Sequence, residues 1–123
     1  MITLTLPYPP SGNHMWKHTR QGRHYLTDKA RAYYELVRAA VLQQGRMVNI
    51  DQPIQVECVL YPPDKRRRDM DNAWKVIGDS LTKANLWQDD HLIRKLTLEW
   101  QAPVKGGWVF IIISQHDENL VTS

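Results

Sequence analysis

Hydrophobic and polar residues alternate in three parts of the chain, and this period of two predicts β-strands. The first runs from Ile2 to Leu6, where isoleucine and leucine alternate with threonine, and the others cover residues 54–61 and 92–100. A fourth segment, Trp108 to Ile113, is apolar at every position. Because both of its faces are apolar, we predict that it lies centrally in a sheet or under a partner subunit.

Two other segments carry apolar residues at helical spacing. Thr27 is suited to cap the first helix, whose apolar residues recur at intervals of three and four as far as Val41, and Gly45 is a natural end. The second helix is predicted from about Asn72 to Ala84. Its expected buried stripe consists of Trp74, Ile77, Leu81 and Ala84.

These elements predict an α+β fold with the order β-α-β-α-β-β, in which helices pack on a mixed β-sheet. The segment 11–26 has no clean period and is predicted to be a long exposed loop. The turn PVKGG is predicted to join the last two strands as a hairpin. We assign residues 1–115 to a single domain and residues 116–123 to a short polar tail.

The composition restricts where the protein works. One cysteine, Cys58, excludes an internal disulfide framework, so a reducing, cytoplasmic location is expected. Its place in an apolar strand predicts a small buried residue rather than a nucleophile. No apolar run is long enough for a membrane span, and the first residues do not resemble a signal peptide. The chain also lacks the glycine-rich motifs that bind nucleotide phosphates, so no nucleotide cofactor is expected.

The net charge is only +3, but the positive charges are clustered. Two basic clusters favour an anionic partner, most commonly nucleic acid, although a solvated cationic surface is the alternative. The first candidate cluster is the run Lys65, Arg66, Arg67 and Arg68. The second spans residues 14–31 and contains Lys17, Arg20, Arg23, Lys29 and Arg31. Of these, Lys17, Arg20 and Arg23 lie in the predicted loop and are the candidate outer contacts to DNA.

Carboxylates adjoin the basic run at Asp69 and Asp71, and a further pair, Asp89 and Asp90, follows the second helix. In an extended segment, residues two apart point the same way, so Asp69 and Asp71 would share a direction. Asp71 could instead cap the second helix. Because loops before and after a helix lie at its opposite ends, the chain fold or a second subunit must bring Asp90 to the first pair.

Three converging carboxylates would suit Mg²⁺ or Mn²⁺, which bind substrate phosphate directly and assist phosphodiester hydrolysis. Lys75 and the neighbouring arginines would reduce the repulsion between the acids and hold the phosphate. Two alternatives remain open from the residues alone. One is a non-catalytic basic module that binds DNA or RNA, and the other is a structural protein in which Asp71, Lys75 and Asp79 form only a surface ladder of charges.

Four motifs together resemble the RusA family of Holliday junction resolvases. They are RRRDMDNAWK, LTKANLWQDD, PYPPSGN and VKGG, and the resemblance extends to about residue 115. It implies a RusA-like fold and a homodimeric, Mg²⁺-dependent endonuclease, often carried by prophages, in which Mn²⁺ can substitute. Such enzymes bind four-way DNA junctions and nick strands symmetrically in DNA recombination and repair.

The resemblance also implies roles for individual residues. Carried over by position, the catalytic and metal-binding carboxylates are Asp69, Asp71 and Asp90, and the functional lysine is Lys75. Asp89 is the second choice for the third acid. In the family these acids converge in the basic surface of the dimer.

Overall fold

The structure, a computed structural model, describes residues 1–11, 16–18 and 24–117. Its elements are two helices, six strands and a short 3-10 turn between the second helix and the fifth strand. In chain order they are β1 (Ile2–Pro7), β2 (Trp16–His18), β3 (His24–Leu26), α1 (Asp28–Gln43), β4 (Ile54–Tyr61), α2 (Met70–Lys83), the 3-10 turn (Asp90–Leu92), β5 (Ile93–Trp100) and β6 (Trp108–Gln115).

Four strands form a mixed sheet in the order β1-β6-β4-β5. Strand β6 is antiparallel to both β1 and β4, whereas β4 and β5 are parallel and are joined through α2. The predicted mixed sheet with helices packed on it is therefore confirmed. Strand β6 lies between β1 and β4, which confirms the central position predicted from its apolar sequence.

Two details of the predicted topology are wrong. The terminal hairpin does not form, because β4 lies between β5 and β6 and pairs with both. The charged sequence of β5 suits an exposed edge, and the apolar sequence of β6 suits the interior. The segment predicted as a loop also contains β2 and β3, which pair as an antiparallel two-stranded ribbon.

The core lies between one face of the sheet and the two helices. In β4 the alternate residues from Ile54 to Leu60 are buried, whereas Glu57 is exposed on the other face. Helix α1 buries Ala30, Tyr33, Val37 and Val41, as its spacing predicts. Thr27 begins this helix as expected, since its Oγ1 accepts a hydrogen bond from the backbone N–H of Ala30 at 3.2 Å.

The segment after α2 is held firmly by Trp87, which is fully buried. Its indole Nε1–H donates to Thr82 Oγ1 at 2.7 Å. The backbone N–H of Gln88 donates to the carbonyl of Ile50 at 2.9 Å. These contacts fix where the chain presents the acids that follow. None of the helices within the described residues is long and apolar enough to cross a membrane.

Cys58 is fully buried in β4, which confirms its predicted structural role. Burial raises the pKa of the thiol to about 12. Because the thiolate is the reactive form, we expect native protein at pH 8 to resist alkylation by iodoacetamide. The same protein in urea should incorporate one equivalent, as measured by mass spectrometry. Rapid labelling without denaturant would contradict the tight packing of β4.

Candidate active site

The loop after β4 is organised around the carboxylate of Asp64. This carboxylate accepts a hydrogen bond from the backbone N–H of Arg66 at 2.9 Å. It also pairs with Arg66 Nε at 3.2 Å and with Arg68 Nη2 at 2.8 Å. The backbone hydrogen bond from Arg66, followed by the side-chain hydrogen bonds from Arg68 and Arg66, lowers the pKa of Asp64. Part of the basic run is thus neutralised by an acid that precedes it.

Arg68 is the most enclosed cation of the run, with a side chain only 18% exposed. Its Nη1 donates to the carbonyl oxygens of Asp64 at 3.1 Å and of Arg66 at 3.0 Å. The guanidinium carbon lies 5.7 Å from the centre of the Tyr8 ring, within range of a cation–π contact. Lys65, Arg66 and Arg67 are exposed.

A cleft of about 620 Å³ opens beside this loop. It brings together the PYPPS segment after β1, the start of α1, the basic run and the first turn of α2. The lining residues are Tyr8, Pro9, Pro10, Ser11, Lys29, Pro63, Arg66, Arg67, Arg68, Asp69, Asn72 and Ala73. Four cations therefore face one carboxylate in a single concave surface. The sequence placed Lys29 in the second basic cluster but did not predict that Lys29 or Tyr8 lies beside the basic run, because that proximity depends on the tertiary fold.

Asp69 and Asp71 lie at the N-terminus of α2. Asp69 occupies the N-cap position but makes no side-chain capping hydrogen bond, and Asp71 lies in the first turn. The alternative role of Asp71 as the cap is therefore wrong, and so is the extended segment that would have aligned the two side chains. Both residues are exposed, and neither carboxylate forms an ion pair with any residue that the structure describes. Their oxygens are available to a ligand.

The second acid pair lies beyond the other end of α2. A helix of 14 residues is about 21 Å long, so Asp90 is well separated from Asp69 in the same chain. Asp89 Oδ1 accepts a hydrogen bond from the backbone N–H of His91 at 3.0 Å and lies 3.2 Å from His91 Nδ1. The carboxylate of Asp89 is therefore used within the turn, which favours Asp90 over Asp89 as an external ligand.

The electrostatics of this turn differ between its two acids. Hydrogen bonds from the backbone and side chain of His91, and from Asp90, lower the pKa of Asp89 to about 2. The pKa of Asp90 is raised, first by its hydrogen bond with Asp89 and by partial desolvation, and then by the charges of Asp89 and Asp79. An added cation near Asp90 would relieve this repulsion.

Among the side chains that the structure describes, those of residues 1–11 and 27–117, no three His, Cys, Asp or Glu lie close enough to hold one metal ion together. The fold places Asp69 in the wall of the cleft and Asp71 two residues later in the first turn of α2, and it leaves Asp90 beyond the far end of that helix. Lys75 is exposed, one turn beyond Asp71. The shared site of the three acids therefore stays a prediction. So do the DNA contacts of the loop, because the side chain of Lys17 and all of Arg20 and Arg23 lie outside the described residues.

A family model described as "Endodeoxyribonuclease RusA" matches residues 7–113, which include the cleft and both acid pairs. The chain belongs to the RusA family. The resemblance predicted from the four motifs is thus confirmed. Curated RusA proteins, named crossover junction endodeoxyribonucleases, include those of Shigella sonnei (strain Ss046) and Escherichia coli (strain K12). Each is 32% identical over 113 residues, which cover 92% of this chain and 93% of the relative.

A RusA relative from Enterobacteria phage 82, with the same name, is 32% identical over 112 residues, covering 91% of this chain and 92% of its own. The RusA match therefore extends from the end of β1 into β6 and is not confined to the motifs. The PYPPS segment and the basic run, which are over 50 residues apart in sequence, line one cleft in this RusA-family fold.

Proposed function

We propose that this RusA-family protein is an endodeoxyribonuclease that resolves four-way DNA junctions by paired, symmetric nicks as a metal-dependent homodimer. The observation that carries the proposal is the cleft, in which three arginines of the basic run adjoin the exposed carboxylate of Asp69. Asp71 follows two residues later in the first turn of α2, and neither carboxylate has an ion-pair partner among the described residues. A cationic concave surface attracts the phosphate backbone, and the acids supply the hard oxygen ligands that nuclease chemistry uses.

The donor set of Asp69 and Asp71 fits Mg²⁺, with Mn²⁺ as a substitute. Mg²⁺ is commonly held by one or two carboxylates together with waters and substrate phosphate, so two acids at one helix end are a suitable beginning. When bound, such an ion lowers the pKa of a coordinated water and offsets charge on the phosphate. Asp90 is the proposed third ligand.

The chain itself would bind and orient the scissile strand. Arg67 and Lys65 would attract the phosphates, and the positive end of the α2 helix dipole favours negative charge at the same place. Lys75 lies four residues after Asp71, so the two side chains occupy neighbouring positions on the helix surface. Its ammonium group would stabilise the negative charge that develops on the departing oxygen.

A homodimer accounts for the separation of the acids. In one chain, α2 keeps Asp90 away from Asp69 and Asp71, and a second copy can bring its Asp90 to the first copy's pair. Two-fold symmetry then creates two equal sites. A four-way junction has approximate two-fold symmetry, so the two sites would meet two equivalent strands and make paired nicks.

The test is to incubate the protein with a labelled four-way junction or with linear duplex of the same sequence, in Mg²⁺ or in EDTA. We expect symmetric nicks only on the junction and only with metal. Salt-sensitive binding without any cut would contradict the proposal and support the non-catalytic DNA- or RNA-binding module instead. Equal binding and equal cutting of the linear duplex would contradict the junction preference.

A further inference from the structure

The four cations of the basic run fall into two groups. Arg66 and Arg68 are paired with Asp64 at 3.2 Å and 2.8 Å. Lys65 and Arg67 make no ion pair with any residue that the structure describes. Side chains that pair with Asp64 therefore alternate along the loop with side chains that do not. A shared role of all four cations in phosphate binding does not explain this difference.

The contacts of Arg68 tie together the two ends of the loop. Its guanidinium reaches the carboxylate and the carbonyl of Asp64, the carbonyl of Arg66 and the ring of Tyr8. A planar guanidinium can make such contacts at once, whereas a lysine ammonium cannot reproduce that fork. The residue that follows Arg68 is Asp69, so these contacts also set where the first carboxylate of α2 lies relative to Arg67.

Asp64 is electrostatically unfavourable for a DNA-binding surface. It places a negative charge among cations that line the cleft, and each cation it neutralises contributes less to phosphate binding. An acid at this position is understandable if the conformation of the loop matters more than its total charge.

We propose that Asp64 is a positioning residue of the endonuclease, which acts through Arg68 to fix the loop 64–68 and so aligns Asp69 with the phosphate-binding Arg67. Arg68 is then chiefly part of this support rather than a DNA contact. The inference rests on the proposed function and adds to it a division of labour within the basic run.

The experiment compares wild type, Asp64→Asn and Arg68→Lys, with Glu35→Gln as a control. Glu35 is exposed on α1, so its substitution removes the same charge as Asp64→Asn outside the loop. For Asp64→Asn we expect junction affinity to be equal or higher but the single-turnover cleavage rate to fall at least about tenfold, as misalignment of reacting groups does. Arg68→Lys should lower the rate similarly at nearly constant affinity.

A double variant separates positioning from charge. If Asp64 and Arg68 act through one contact, the loss of rate in Asp64→Asn/Arg68→Lys should be much smaller than the product of the single losses. Multiplicative losses would overturn the inference. So would Asp64→Asn cleaving at the wild-type rate, or losing affinity in parallel with rate.

Limited trypsin digestion reports on the loop without any nuclease activity. The run Lys65–Arg68 offers consecutive trypsin sites, and a held loop resists cleavage. Asp64→Asn should be cut within this run faster than wild type and Glu35→Gln, as mapped by mass spectrometry, and an unchanged digestion rate would overturn the inference. A wild-type protein that cuts no junction overturns the proposed function itself, whereas an active wild type with a fully active Asp64→Asn overturns only the role of Asp64.

Discussion

Replacement of Asp71 by asparagine is expected to abolish junction cleavage while leaving a folded dimer that still binds junctions. Asp71 is exposed in the first turn of α2, and its carboxylate forms no ion pair with the described residues, so the fold does not depend on it. The amide keeps the size of the side chain but is a poor ligand for a hard cation. We expect the single-turnover rate in Mg²⁺ to fall more than about a hundredfold, since even supporting residues around metals contribute ten- to a hundredfold.

Asp28→Asn is a suitable control for this substitution. Asp28 is also exposed and also lies in the first turn of its helix, so its loss removes the same favourable interaction with a helix N-terminus, about 0.3–1 kcal/mol. Its pair with Arg31, at 3.5 Å, lies fully at the surface, where such pairs contribute little to stability. The two variants should therefore unfold at similar temperatures, and only Asp71→Asn should be inactive. Wild-type cleavage by Asp71→Asn would refute the assignment of this carboxylate.

Gly107→Ala is expected to cause the largest loss of stability among single substitutions near the cleft. Gly107 has a φ of +66°, and a Cβ there would lie 2.9 Å from Pro63 and from the Cβ of Tyr8. Both neighbours line the cleft, and part of the Pro63 contact is backbone, which cannot rotate away. Left-handed strain and overpacking together should lower the free energy of unfolding by about 3 kcal/mol.

The adjacent Gly106 provides a matched control. Its φ is +86°, but a Cβ there would meet nothing within 4 Å. Gly106→Ala should therefore cost only the left-handed strain, about 1 kcal/mol. Urea denaturation at constant m-value measures both losses. Equal midpoints for the two variants would show that the loop can move away from Pro63 at little cost.

Local patterns predicted most of the elements but not their arrangement. The cap at Thr27 and the alternation in β4 depend on neighbouring residues, so they are visible in the sequence. The position of β4 between β5 and β6 depends on pairings between distant segments, and the Gly-Gly turn suggested a hairpin that does not form. The loop before Gly107 instead crosses the end of β4, where the N–H of Val104 donates to the carbonyl of Pro62 at 2.8 Å.

The candidate site also combines features that are visible in the sequence with contacts that depend on the fold. The basic run and the acids Asp69 and Asp71 are local features of the sequence, but the PYPPS segment and Lys29 reach them only through the fold. Asp64 and Asp89 make the same kind of local contact. An aspartate often accepts a hydrogen bond from the N–H two residues later, and both Asp64 and Asp89 do so here. Asp69 and Asp71 also have an N–H two residues later, so only the fold shows that Asp64 and Asp89 are engaged in turns while the other two carboxylates are exposed.

The length of α2 has a consequence for the control of the enzyme. If each site needs Asp90 from a second copy, the cutting rate follows the amount of dimer rather than the amount of protein. Below the dissociation constant of the dimer, the rate should then fall with about the square of the concentration. A newly made monomer would then be inactive until it dimerises, because a helix about 21 Å long keeps its own acids apart. Single chains would therefore leave intact chromosomal DNA uncut.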